Sequence, residues 1–140
     1  MKYFLLPGRI LYSLIFVSSG LFHFSKEVVI QASIRSVPYA EILVPAAGIM
    51  AILGGLSIAL GYKAKTGAIL LVAFLIPVTL FMHNFWSGES SVPVQIQMAA
   101  FMKNIALTGT ALYISYFGSG SFSIDLLLKK RCLKNKVAVV

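Results

Sequence analysis

From residue 42 to residue 62 the chain runs for 21 positions without a charged side chain. Coiled as a helix at 1.5 Å per residue, such a run is about 30 Å long, the thickness of a bilayer's hydrocarbon core. That stretch commits the chain to membrane helices. Backbone groups in lipid must satisfy their own hydrogen bonds, so the expected class is all-α. Composition agrees: 59% of residues are hydrophobic, 11% are charged and mean hydropathy is +0.90, whereas soluble domains carry roughly a quarter of charged residues.

Three other apolar runs can be read around this one. The first covers about residues 4–24. It resembles a secretory leader at first sight, but Pro7, Gly8 and Arg9 interrupt it and apolar character continues to Phe24, so it reads as an uncleaved helix. Arg9, Ser13, Phe16, Gly20, His23 and Glu27 recur at intervals of three or four, which predicts an inward face, with Leu11, Leu14 and Ile15 left for lipid. Residues 25–39 are too polar to cross and predict a short interfacial helix. The second span is 41–62, where Glu41, Pro45, Gly48, Ile52, Gly55 and Ala59 form a stripe of mostly small residues suited to close helix approach.

Lys63-Ala64-Lys65 is a very short link, so the next helix must return beside the second. Residues 66–82 supply only about 26 Å of helix, and the third span is therefore extended to 86, with a bend expected at Pro77. After a polar link at 87–97, a fourth span covers 98–117 and carries Lys103 and Asn104 in its first turns. Gly118-Ser119-Gly120-Ser121 ends it, and a short surface helix is expected near 123–128. The predicted architecture is a four-helix transmembrane bundle running up-down-up-down, with a membrane domain over 1–128 and a basic cytoplasmic tail over 129–140.

The formal net charge of +8 does not indicate nucleic acid, because the basic residues gather at the ends of apolar runs rather than on a polar surface. In the four-span arrangement one side receives Lys2, Arg9, Lys63, Lys65, Lys129, Lys130, Arg131, Lys134 and Lys136, and the other only Lys26, Arg35 and Lys103. Nine against three places both termini in the cytoplasm. The basic tail suits an anionic leaflet, so the bilayer is the first partner. Cys132 is the only cysteine, which excludes an intrachain disulfide and CxxC redox chemistry; with two distant histidines it gives no metal site.

The same arrangement brings His23, Glu41, His83, Asn84, Lys103 and Asn104 from four helices toward the outer end, with Trp86, Phe85 and Phe101 beside them. Ionisable groups at membrane depth are expensive and suggest function. A carboxylate and two imidazoles can pass protons, Lys103 or Asn104 can donate to a carbonyl, and the aromatics offer a flat wall. These are the parts a quinone head group needs, held without covalent attachment. They are also the parts that gather at any membrane interface. Arg9 and Asp125 read as an inner-face pair or as independent anchors.

Gly20 near the end of the first helix, Gly54-Gly55 through Gly61 before a basic turn, His83-Asn84-Phe85-Trp86, the run from Phe101 to Gly109 and Gly118-Ser119-Gly120-Ser121-Phe122-Ser123-Ile124-Asp125 together resemble the DoxX family. His23 stands where such proteins often carry Lys. The resemblance implies a small bacterial inner-membrane protein that serves as a subunit or accessory of an oxidoreductase system, with membrane or soluble oxidoreductase subunits as partners. Two other functions fit the residues: a non-catalytic scaffold docking a partner enzyme, and a proton-coupled exporter, which the absence of an acid deep in a span disfavours. A homo-oligomer is compatible with each.

Overall fold

The computed structural model describes residues 2–86 and 92–137, with side chains for 3–86 and 92–134. Residues 87–91 of the expected polar link lie outside them. After a 3₁₀ turn at Lys2–Phe4 the elements are α1 (Leu5–Phe22), α2 (Lys26–Ile34), α3 (Ala40–Leu60), α4 (Ala64–Met82), α5 (Val94–Phe117) and α6 (Ile124–Val137). The all-helical expectation holds. The four-span bundle does not: among the described residues, three helices are long and apolar enough to cross a membrane, α1, α3 and α4. The 24-residue α5 has the length, but Gln95, Gln97, Lys103 and Asn104 dilute its first half, while α2 and α6 add two shorter helices.

Local chemistry sets the boundaries. Pro7 falls in the first turn of α1, where its missing amide hydrogen would have had no helical acceptor. Ser36, at φ +58°, and the bond from Val37 N to Ala32 O close α2 before Pro38. Gly61, at φ +64°, plays the same role for α3, with Tyr62 N bonded to Ser57 O. Lys63 then takes a left-handed conformation and α4 begins at once. Starting two residues earlier than expected, α4 reaches 19 residues by Met82, so residues 83–86 form a turn rather than the last part of a span. α6 starts where expected, with Leu126 N bonded to Ser123 Oγ, but continues through 128 into the basic segment.

α3 is central. It packs antiparallel against α1 and α4, and α4 packs on α5. The expected inward face of α1 is found from Arg9 to Gly20, with Arg9, Ser13, Phe16 and Gly20 buried and Leu11, Leu14 and Ile15 exposed, but it does not extend to Glu27, which lies exposed on α2. The helices approach through glycines. A Cβ on Gly20 would stand 2.8 Å from Gly48 O, and one on Gly54 would stand 2.9 Å from Gly67 O. Phe16, Ile58, Leu71, Phe74, Leu75 and Ile114 fill the core, and Tyr12 of α1 donates to Leu107 O of α5 at 2.8 Å. Ile42, Leu53, Ile69 and Leu112 point outward, each more than half exposed. Such a surface suits hydrocarbon and not water.

Candidate functional site

At the end of the molecule where α1 and α4 finish and α3 and α5 start, α2 folds across α3 and leaves a cavity of about 310 Å3. Val28 and Ala32 of α2, Val44 and Ala47 of α3, and Phe74 and Met82 of α4 are among the residues on its wall. Pro77 and Ala73 also line it. Because Pro77 has no amide hydrogen, it cannot bond the Ala73 carbonyl one turn earlier. Among the described residues, His23 is the only titratable side chain on the wall. Its Nδ1 lies 2.7 Å from Ser19 O. A carbonyl only accepts, so Nδ1 donates. The ring packs edge-on to Phe74 at 5.5 Å, and its Cβ lies where any side chain on residue 48 would have to go.

Beyond Met82 the chain turns through the polar residues singled out in the sequence. His83 caps α4, its amide bonded to Thr79 O at 3.2 Å. Burial is the main influence holding its imidazole below the ordinary value, followed by the positive charges of Lys103 and Arg35. Asn84 Oδ1 accepts from Arg35 Nη1 at 3.2 Å, which ties the end of α2 to the turn after α4. Phe85, Trp86 and Phe101 meet edge to face, with centroids 5.2, 5.5 and 5.8 Å apart. This cluster fixes the start of α5 against the same turn, and Trp86 remains largely exposed.

The structure therefore gathers His83, Asn84 and Lys103, and adds Arg35, which sequence reasoning counted only as a charge. The remaining residues separate. His23 belongs to the cavity wall. Asn104 is buried on α5, its carbonyl accepting from Thr108 Oγ1 at 2.8 Å. Glu41 is exposed in the first turn of α3, a favourable place for an acid beside the partial positive charge of a helix start. What sequence reasoning missed was the cavity itself. Its signal was the spacing of Val28, Ala32 and Val37 within a segment read only as interfacial.

Arg9 and Asp125 lie at the other end. The guanidinium donates from Nη1 to Ser119 O at 2.8 Å and from Nη2 to Phe122 O at 2.7 Å. Asp125 Oδ1 accepts from Lys63 N at 3.0 Å, and Asp125 N donates to Gly61 O at 3.0 Å. Together they clasp the segment before α6 onto α1 and the α3–α4 turn, so the starts of α1 and α6 lie at one end of the helices.

Arranged this way, the chain can hold an apolar group between helices and offer cations and a neutral imidazole beside it. Among the described residues no cluster of His, Cys, Asp or Glu could hold a metal. The chain is 29% identical to inner membrane protein YqjF of Escherichia coli (strain K12) over 127 residues, which is 90% of this chain and 92% of that protein. It is also 31% identical to the Surfeit locus protein 4 homolog of Schizosaccharomyces pombe and 30% identical to that of Drosophila melanogaster, over 88% and 89% of this chain. It spans only 37% and 41% of those two proteins. No solved structure matches it.

These relatives overturn the DoxX resemblance. A small-residue stripe, a His-Asn-aromatic helix end and a Gly-Ser link are common solutions for helices meeting at a membrane surface, and they misled because they are common. The SURF4 family model matches residues 1–131, and the chain is an integral membrane protein that belongs to the SURF4 family.

Proposed function

We propose that the chain is a membrane-embedded binding protein for an amphiphile, whose apolar part enters the α2–α3–α4 cavity and whose head group meets Arg35, His83 and Lys103. The observation that carries this reading is the cavity, which has the size of small-molecule pockets and a wall that is apolar except for His23. An apolar space of this kind excludes water and admits hydrocarbon. Two cations at the adjoining turn favour an anionic head, which makes a long-chain carboxylate the best-supported ligand class. His83, held neutral, adds a hydrogen bond rather than charge.

The test is saturable binding of a fluorescent long-chain carboxylate to the protein in nanodiscs. Ala47→Phe should abolish it by filling the cavity, and Arg35→Gln should weaken it several-fold. Unchanged affinity in Ala47→Phe refutes the cavity as the site.

A quinone-binding accessory of a membrane oxidoreductase is the second reading, favoured by the Phe85–Trp86–Phe101 aromatic cluster close to His83. Its support is now the residues alone. A neutral quinone analogue that displaces the carboxylate and still binds Arg35→Gln at full strength would establish it over the first. For either ligand we place the Lys63 end on the cytoplasmic side, because Lys63, Lys65, Lys129, Lys130 and Arg131 gather there. The name of the Escherichia coli relative supports an inner-membrane location.

A further inference from the structure

The cytoplasm-proximal end in this orientation carries a second cavity, of about 400 Å3, between the first turn of α4 and the segment joining α5 to α6. Lys63, Lys65, Thr66 and Lys129 line it together with one carboxylate, Asp125. That carboxylate is already engaged, accepting from the Lys63 amide. Behind the wall lies Arg9, only 6% exposed, bonded to the carbonyls of Ser119 and Phe122. Its Nε has no partner among the described residues. Three lysines thus line the cavity with one carboxylate, and Arg9 adds its charge from behind the wall.

Two further features give the cavity a defined form. Gly118, at φ +80°, lies beneath the stem of Lys65, where a Cβ would stand 3.3 Å from Lys65 Cε. Lys65 is therefore laid over the loop beside the cavity. The bond from Gly67 N to Lys63 O opens the α4 ladder, so the amides of residues 64–66 precede it, at the partially positive end of the helix. Lysines and a hydroxyl at the positive end of a helix are donors of the kind that recognises phosphate. The non-polar parts of the wall are Phe117 and Leu126, and Leu127 and Leu128 follow exposed on α6. Free phosphate has no use for them, whereas a lipid has.

We propose that this cavity binds a phosphate group, and that in the membrane this is the head-group phosphate of an anionic phospholipid, with α6 lying along the leaflet surface. The site is independent of the cavity at the far end.

The protein in neutral detergent should be titrated by calorimetry with short-chain phosphatidic acid, short-chain phosphatidylcholine and inorganic phosphate. Saturable binding of phosphatidic acid is expected, at least about tenfold tighter than phosphatidylcholine and competed by millimolar inorganic phosphate. Lys65→Gln/Lys129→Gln should weaken it by about thirtyfold, roughly fivefold per lysine. Lys130→Gln/Arg131→Gln removes the same charge from the same helix outside the cavity and should change it less than about threefold. All four side chains are exposed, so both variants should melt with the parent, and Lys65→Arg/Lys129→Arg should retain binding. Equal losses in the two Gln pairs would mean diffuse attraction to a basic helix and would overturn the site. Inorganic phosphate binding as tightly as phosphatidic acid would overturn the lipid assignment.

Discussion

The two ends of this molecule use the same kinds of residue for opposite purposes. At the Lys63 end, the buried Arg9 gives two donors to backbone carbonyls and ties α1 to the segment joining α5 to α6. At the His83 end, Arg35 bonds the Asn84 side chain at 3.2 Å, and the helices beside it leave an apolar cavity rather than closing. The difference teaches that what an arginine near a membrane helix end holds together depends on whether its donors reach backbone or side chain, and that its position in the sequence does not decide this.

The largest effect should come from removing the clasp. Arg9→Met loses two charge-assisted bonds and leaves the Ser119 and Phe122 carbonyls without their donor, a loss of about 3–6 kcal/mol at roughly 1.5–3 per bond. Arg35→Met loses a longer, part-buried bond to a side chain and should cost less. Denaturant unfolding of both variants in the same detergent checks the contrast. Similar losses would mean that the ends are equivalent.

Next in size are the helix contacts. Gly48→Leu forces a side chain against Gly20 O and His23 Cβ and should cost about 1–3 kcal/mol, since overpacked interfaces must move backbone. Ala51, fully buried in the core, and Ala47, on the cavity wall, give a sharper version of the same comparison. Ala51→Phe should destabilise by a similar amount, and Ala47→Phe by under about 1 kcal/mol, because the cavity receives the ring. If the two melt alike, the cavity is not open space.

How far the sequence revealed all this follows the range of the interactions. The inward face of α1 was legible because Arg9, Ser13, Phe16 and Gly20 sit on one helix at fixed spacing, and the charge-free run located α3 to within two residues at each end. The start of α4 was not legible, because it depends on Lys63 taking a left-handed turn held by Asp125, 62 residues away. The cavity was hidden for the same reason: α2 becomes a wall only by packing Val28, Ala32 and Val37 toward α3 and Met82 of α4. Polar residues near helix ends were easy to find, and their grouping was only partly right, since Glu41, Asn104 and His23 look alike in sequence and occupy a solvent-facing turn, a helix interface and a cavity wall.

The smallest predicted effect tests whether the His83 end is kept neutral. Burial, more than Lys103 and Arg35, holds the His83 imidazole below its ordinary value of 6.5. Above that pH neither the folded nor the unfolded chain protonates the group, and it contributes no pH dependence. As pH falls through 6.5 the unfolded chain takes up a proton that the folded chain still refuses, so the unfolded state gains and stability declines until the folded value is reached. Unfolding free energy should therefore be lower at pH 5.5 than at 7.5, and His83→Gln should remove that part of the slope. Salt separates the causes. At about 1 M, where the screening length is about 3 Å, the influence of Lys103 and Arg35 fades and that of burial does not, so most of the slope should persist. A slope that vanished in salt would make the cations the main cause, and the His83 end would then be an electrostatic surface rather than the partly dry one that the cavity implies.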